Sequence, residues 1–91
     1  MKLSNEEINN KLKGLNGWRL DVNLIKKTFE FDNFLESIEF VNKIAPIAEE
    51  MNHHPDINIS YNKVTVNLST HDENGVTERD ISLAGKINFL I

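Results

Sequence analysis

Ninety-one residues without a cysteine confine this chain to one small domain, 1–91, that no disulfide or thiolate-held metal can staple. A core of that size supplies only a few kcal/mol, so self-association is expected to complete it. The formal net charge of −4, with ten scattered Lys and Arg, argues against a nucleic-acid partner, and no apolar run approaches the roughly 20 residues that span a bilayer. The opening Met1-Lys2-Leu3-Ser4-Asn5-Glu6-Glu7 turns acidic before any apolar run, unlike a signal peptide, so a cytoplasmic protein is expected.

Ser4 followed three residues later by Glu7 is a capping-box signature, and Ile8, Leu12 and Leu15 continue it at helical spacing until Gly14 and Gly17 close the segment. Trp18, Leu20 and Val22 alternate, as do Ile25, Lys27, Phe29 and Phe31, which predicts a hairpin over 18–31 turning near Asn23. Asp32 or Asn33 then caps a second helix with Phe34, Leu35, Ile38, Val41, Ile44, Ala45, Ala48 and Met51 as its apolar stripe. Pro46 lies inside that stripe, removes a donor and crowds the carbonyl of Asn42, so a kink is expected. Ile57, Ile59 and Tyr61, then Val64, Val66 and Leu68, form two further strands joined across Asn62-Lys63. Asn74-Gly75 marks a turn, and Thr77 caps a last helix carrying Ile81, Ala84, Ile87 and Ile91.

The order α-β-β-α-β-β-α predicts an α+β domain, a four-stranded antiparallel sheet with three helices packed on one face. The other face and the sheet edges would then need a partner, which again favours an oligomer.

Chemistry concentrates in the three histidines, His53, His54 and His71. The pair follows the second helix and precedes Pro55; His71 ends the fourth strand. Histidine, with an ordinary pKa of about 6.5, suits proton transfer near neutrality. A loop pair and a strand-end residue can converge where a hairpin returns past its own start. A three-histidine zinc site with an open water position is the alternative arrangement. Against it, adjacent side chains such as His53 and His54 tend to diverge in extended backbone, and a polar helix end or a surface residue would account for the same positions without chemistry.

The spacing Glu49-x3-His53-His54-Pro55-x5-Tyr61-x9-His71-x8-Asp80 resembles the signature of the pterin-4a-carbinolamine dehydratase family. Tyr61-Asn62-Lys63-Val64, Leu68-Ser69-Thr70-His71, Thr77-Glu78-Arg79-Asp80, Gly17-Trp18 and Phe29-x-Phe31-x-x-Phe34 are similar to the family as well, so the likeness runs from about residue 14 to 90. It implies a hydro-lyase, with no metal and no cofactor, that dehydrates a 4a-hydroxytetrahydropterin to quinonoid dihydropterin in pterin recycling, as a homotetramer or dimer. By the same resemblance His53 and His71 are the proton donors on the two faces of the ring, and His54 binds the ring. Glu49, one helical turn before His53, would orient that imidazole and favour its charged form. Thr70, Asp72 and Glu73 would meet the pterin's amide edge, Pro55 would stiffen the loop, and Trp18, Arg79 and Asp80 would complete the pocket. Trp18 has an equal account as core and Asp80 as the third residue after the Thr77 cap. Asn52 departs from the acidic residue some members carry before the histidine pair. A second class of reading is a protein-binding module, since animal members also act as dimerisation cofactors for a homeodomain transcription factor. A third is a pterin binder serving another route, such as molybdopterin metabolism.

Overall fold

The computed structural model describes residues 1–91 as α1 (Asn5–Leu12), β1 (Arg19–Asp21), β2 (Leu24–Glu30), α2 (Phe34–Met51), β3 (Asp56–Ser60), β4 (Lys63–Leu68), a 3₁₀ turn at His71–Glu73 and α3 (Glu78–Asn88). The sheet is antiparallel throughout in the order β1-β2-β4-β3, so β4 sits in the interior beside β2 and β3 forms an edge. The expected α+β architecture is thus the one observed.

Register decides which face is dry. Ile25 and Phe29 of β2 and Val64, Val66 and Leu68 of β4 point one way and are buried beneath the helices, with Ile57 and Ile59 of β3 packed at the margin. From α1, α2 and α3 come Ile8, Phe40, Ile44, Leu83, Ala84 and Ile87. Phe40 packs its ring 4.7 Å from Phe29 and 5.0 Å from Phe31, centroid to centroid. The opposite sheet face is polar. Lys26, Thr28 and Glu30 lie beside Asn67, Thr65 and Lys63 in register, and the Thr28 and Thr65 hydroxyls pair at 3.0 Å. Of the polar atoms on that face, Asn67 Oδ1 is cut off from solvent without a hydrogen-bond partner, and the outer edges of β1 and β3 are unpaired within the chain.

Four local expectations shift. Val22 is not the inward end of β1: it turns the hairpin at φ 58° and is exposed. On α2 the buried residues are Ser37, Phe40, Ile44 and Ala48, whereas Phe34 and Leu35 are 52% and 65% exposed. The helix carries apolar residues on two faces, and the sheet takes the one through Phe40. Tyr61 does not extend β3 but occupies the turn at φ 52°, while α3 buries Leu83 and leaves Ile91, beyond its end, exposed. The helix continues through Pro46, which lies on its exposed side.

The helix ends are built as the caps require. Ser4 and Glu7 form a reciprocal capping box on α1, and the Asn33 side chain accepts the Glu36 N–H at the start of α2. At the other end of α2, Asn52 adopts the left-handed conformation at φ 50°. Its N–H reaches Glu49 O at 3.0 Å and the next N–H, of His53, reaches Ala48 O at 3.1 Å, which is a Schellman terminus. Asparagine tolerates that conformation better than most side chains. The turn it makes directs the chain, and His53 with it, away from the helix axis.

Candidate active site

A cavity of about 310 Å³ opens where α2 ends, β3 begins and β4 runs into the 3₁₀ turn, within the range of small-molecule sites. Its lining is Asn52, His53, His54, Pro55, Asp56, Ser69, Thr70, His71, Asp72 and Arg79, so all three histidines meet there. Pro55, Thr70, Asp72 and Arg79, expected at the site, also line it. A neighbouring cavity of about 300 Å³ shares Thr70, Asp72 and Arg79 and adds Glu73.

The backbone holds the two sides of the cavity separately. On one side the Schellman turn delivers His53 and His54. On the other, Thr70 and Gly75 pair as an isolated bridge, with Thr70 N–H on Gly75 O at 2.8 Å. This bridge closes the small loop that carries His71 and Asp72 at its head. Arg79, in the first turn of α3, anchors the α2 side by donating to the carbonyl of Asn52 at 2.8 Å.

The three imidazoles have different surroundings. His53 is 6% exposed, and its Nε2 lies 2.5 Å from Oδ1 of Asp80, a fully buried carboxylate. Asp80 Oδ2 accepts the Thr70 hydroxyl at 2.8 Å and the Thr77 N–H at 2.9 Å. His54 is largely exposed and its Nε2 lies 2.6 Å from Oε1 of Glu49. His71 is exposed and has neither a hydrogen-bond nor an ion-pair partner on its ring.

These contacts reassign two of the expected roles. Glu49 orients His54, not His53: the i, i+4 expectation assumes a helix running through residue 53, and the helix stops at Met51. The carboxylate that holds His53 is Asp80, which serves at once as the reciprocal residue of the α3 capping box and as an imidazole partner. The capping account of Asp80 holds, whereas its fully buried carboxylate does not itself line the cavity.

Trp18 does not line the cavity. It is buried against Phe29, with ring centroids 6.2 Å apart, and its Nε1–H donates to Asn88 Oδ1 at 2.9 Å. Asn88 ends α3, eight residues or about 12 Å along the helix from Asp80. Asp56 and Ser69 also line the cavity, without a role expected from the sequence. Each is adjacent in sequence to one already singled out, Asp56 to Pro55 and Ser69 to Thr70, and adjacency was the signal available for both.

No group of three His, Asp or Glu side chains is arranged to hold a metal ion. His53 and His54 each turn Nε2 to a different carboxylate, as the divergence of neighbouring side chains leads one to expect.

A helix-backed antiparallel sheet with a polar, histidine-lined cleft at its end is an arrangement suited to acid–base chemistry on a small polar ligand. The family model for pterin 4 alpha carbinolamine dehydratase matches residues 1–90, and the chain belongs to that family. It is 57% identical over 88 residues to a provisionally named pterin-4-alpha-carbinolamine dehydratase of Sulfolobus acidocaldarius, covering 97% of each chain. A crystal structure described as a transcriptional coactivator/pterin dehydratase from Brucella melitensis superposes with a TM-score of 0.92 at 41% identity, covering 98% of this chain and 97% of that one. A pterin dehydratase-like protein described as a RuBisCO assembly factor in the alpha-carboxysome shares the fold, with a TM-score of 0.65 at 22% identity over 80% of this chain and 84% of that one.

Proposed function

We propose that this chain is a hydro-lyase acting on 4a-hydroxytetrahydropterins, with His53 and His71 as alternative general acids. The observation that carries the reading is the convergence of His53, His54 and His71 on one cavity in a chain of this family. The substrate's carbon 4a bears a hydroxyl beside ring nitrogen N5. One imidazolium protonates that hydroxyl, the N5 lone pair forms the C4a=N5 bond, and the hydroxyl leaves as water. Loss of the N5 proton then gives the quinonoid dihydropterin and balances the proton delivered. A positioned acid contributes about 10²–10⁴-fold to such a step.

The two acids stand on different elements, one held by α2's terminus and one by the loop after β4, which supports their acting on opposite faces of a flat ring. His54, tethered by Glu49, is proposed to bind the ring. Arg79 and Asp72 offer it polar groups, and Thr70, its hydroxyl engaged by Asp80 and Thr77, holds the wall beside them. The proposed working unit is a homo-oligomer, a tetramer by preference, supported by the open edge of β3 and by the exposed Phe34 and Leu35 on α2. The Brucella relative's description names a coactivator role beside the dehydratase; the complete histidine set here favours the enzyme.

The test is the decay of racemic 4a-carbinolamine followed for each stereoisomer. His53→Ala and His71→Ala should each slow mainly one isomer, by 10²–10⁴-fold, or roughly 3–5 kcal/mol in its barrier. His54→Ala should raise KM more than it lowers kcat. Equal slowing of both isomers by each single variant would refute the two-face assignment.

A further inference from the structure

We infer that Asp80 is a positioning residue that fixes the tautomer of His53, so that Nδ1 is the ring atom that exchanges a proton with the substrate. The inference rests on the dehydratase reading for its kinetic consequence but not for its structural one.

The hydrogen-bond directions close without freedom. Thr77 N–H is a fixed donor to Asp80 Oδ2, and the single hydroxyl proton of Thr70 is donated to that same oxygen. The 2.7 Å contact between the Thr70 and Thr77 hydroxyls is therefore a donation from Thr77 to Thr70, and Thr77 Oγ1 in turn accepts the Arg79 N–H at 3.2 Å. Asp80 Oδ1 is left to accept, and what it accepts is Nε2–H of His53 at 2.5 Å. A neutral His53 then carries its proton on Nε2 and a lone pair on Nδ1.

Nδ1 makes no hydrogen bond within the chain. Nor is it sealed off: among side-chain atoms cut off from solvent without a partner, Asn67 Oδ1 stands alone. His53 lines the cavity although only 6% of it is exposed, and Nδ1 is the ring nitrogen left free of partners for a ligand there. Protonated, the ring gives up the Nδ1 proton to the leaving hydroxyl and keeps the one on Nε2, which the carboxylate holds.

The same carboxylate reaches the other side of the site. Thr70, which donates to Asp80 Oδ2, immediately precedes His71 and forms the bridge that closes the His71 loop. One buried group therefore sets the ring of His53 directly and the loop of His71 through one hydroxyl.

The experiment is ¹⁵N-resolved NMR of the imidazoles in the intact protein, recorded without substrate at a pH where the ring of His53 is neutral. The expected spectrum shows Nε2–H with an unprotonated Nδ1; an Nδ1–H tautomer overturns the inference. Asp80→Asn sharpens it. The amide oxygen must take the Oδ2 place to satisfy the Thr77 N–H, which turns the NH₂ toward Nε2 and forces the His53 proton onto Nδ1. The variant should show that exchanged tautomer and lose about a hundredfold or more in kcat for the isomer served by His53, with KM little changed. An unchanged tautomer in Asp80→Asn overturns the inference as well. Should that variant fail to fold, Thr70→Val keeps the test open: it should slow the His71-dependent isomer, and Thr70→Ser should restore it, whereas no recovery with Ser counts against the link. Correct tautomers in a protein without dehydratase activity would sink the functional reading and leave the assignment of Nδ1 standing.

Discussion

His53→Ala and His71→Ala should be alike in chemistry and opposite in stability, and the contrast follows from burial. Removing the His53 ring empties a nearly closed site and deprives Asp80 Oδ1 of its partner within a fully buried carboxylate. Two of that carboxylate's three partners remain, Thr70 and the Thr77 N–H, so it stays in place with one oxygen unsatisfied. Taking one member from a buried pair costs about 3–5 kcal/mol. Out of a total stability of roughly 5–15 kcal/mol this is a large fraction. For a chain of 91 residues each kcal/mol is worth roughly 4–8 °C, so Tm should fall by about 12 °C or more. His71 is exposed and without partners, and its replacement should stay within about 0.5 kcal/mol of wild type. Urea titration and calorimetry on both variants, at equal protein concentration, provide the comparison. A His53→Ala protein as stable as His71→Ala would refute the claim that His53 and Asp80 form a structural pair.

Exhaustive chelation should leave the dehydration rate unchanged, whereas a loss restored by added zinc would replace the acid model with a metal site. Light scattering at micromolar concentration should give a multiple of 10.5 kDa, with four copies expected and a clean monomer contradicting the proposed assembly. The Ser4 N–H and hydroxyl hold the Glu7 carboxyl below its ordinary value of 4.5. A depressed folded-state value means that this cap stabilises above the ordinary value and is lost as pH falls through the lowered one. The stability gap between wild type and Glu7→Gln, read by thermal melts, should therefore shrink on acidification; a gap that does not change with pH would contradict the ionised cap.

The fold was legible where local chemistry decides. Ser4 with Glu7, Asn33, Thr77 with Asp80 and Asn74-Gly75 each appear in the structure as their hydrogen-bonding habits predict. It was less legible where two local answers compete. Helix α2 bears apolar residues on two faces, and periodicity alone does not say that the sheet takes Ser37 and Phe40 in preference to Phe34 and Leu35. The convergence of the histidines was readable from the family spacing, but their partners were not. Assigning Glu49 to His53 extrapolated a helix past the residue that ends it, and the true partner, Asp80, lies 27 residues further on and is reached only through tertiary packing. Trp18 went the same way: a lone tryptophan fits a pocket wall or a core equally well until Asn88 and Phe29 are placed beside it.

The central claim is that this chain accelerates water loss from a 4a-hydroxytetrahydropterin. Stopped-flow absorbance of freshly generated 4a-carbinolamine near neutral pH, with and without the protein, measures it directly. Wild type should speed the decay of both stereoisomers to quinonoid dihydropterin in nearly one phase, and the His53→Ala, His71→Ala double variant should return the decay to the uncatalysed rate. A wild-type trace that overlays the protein-free one would contradict the account.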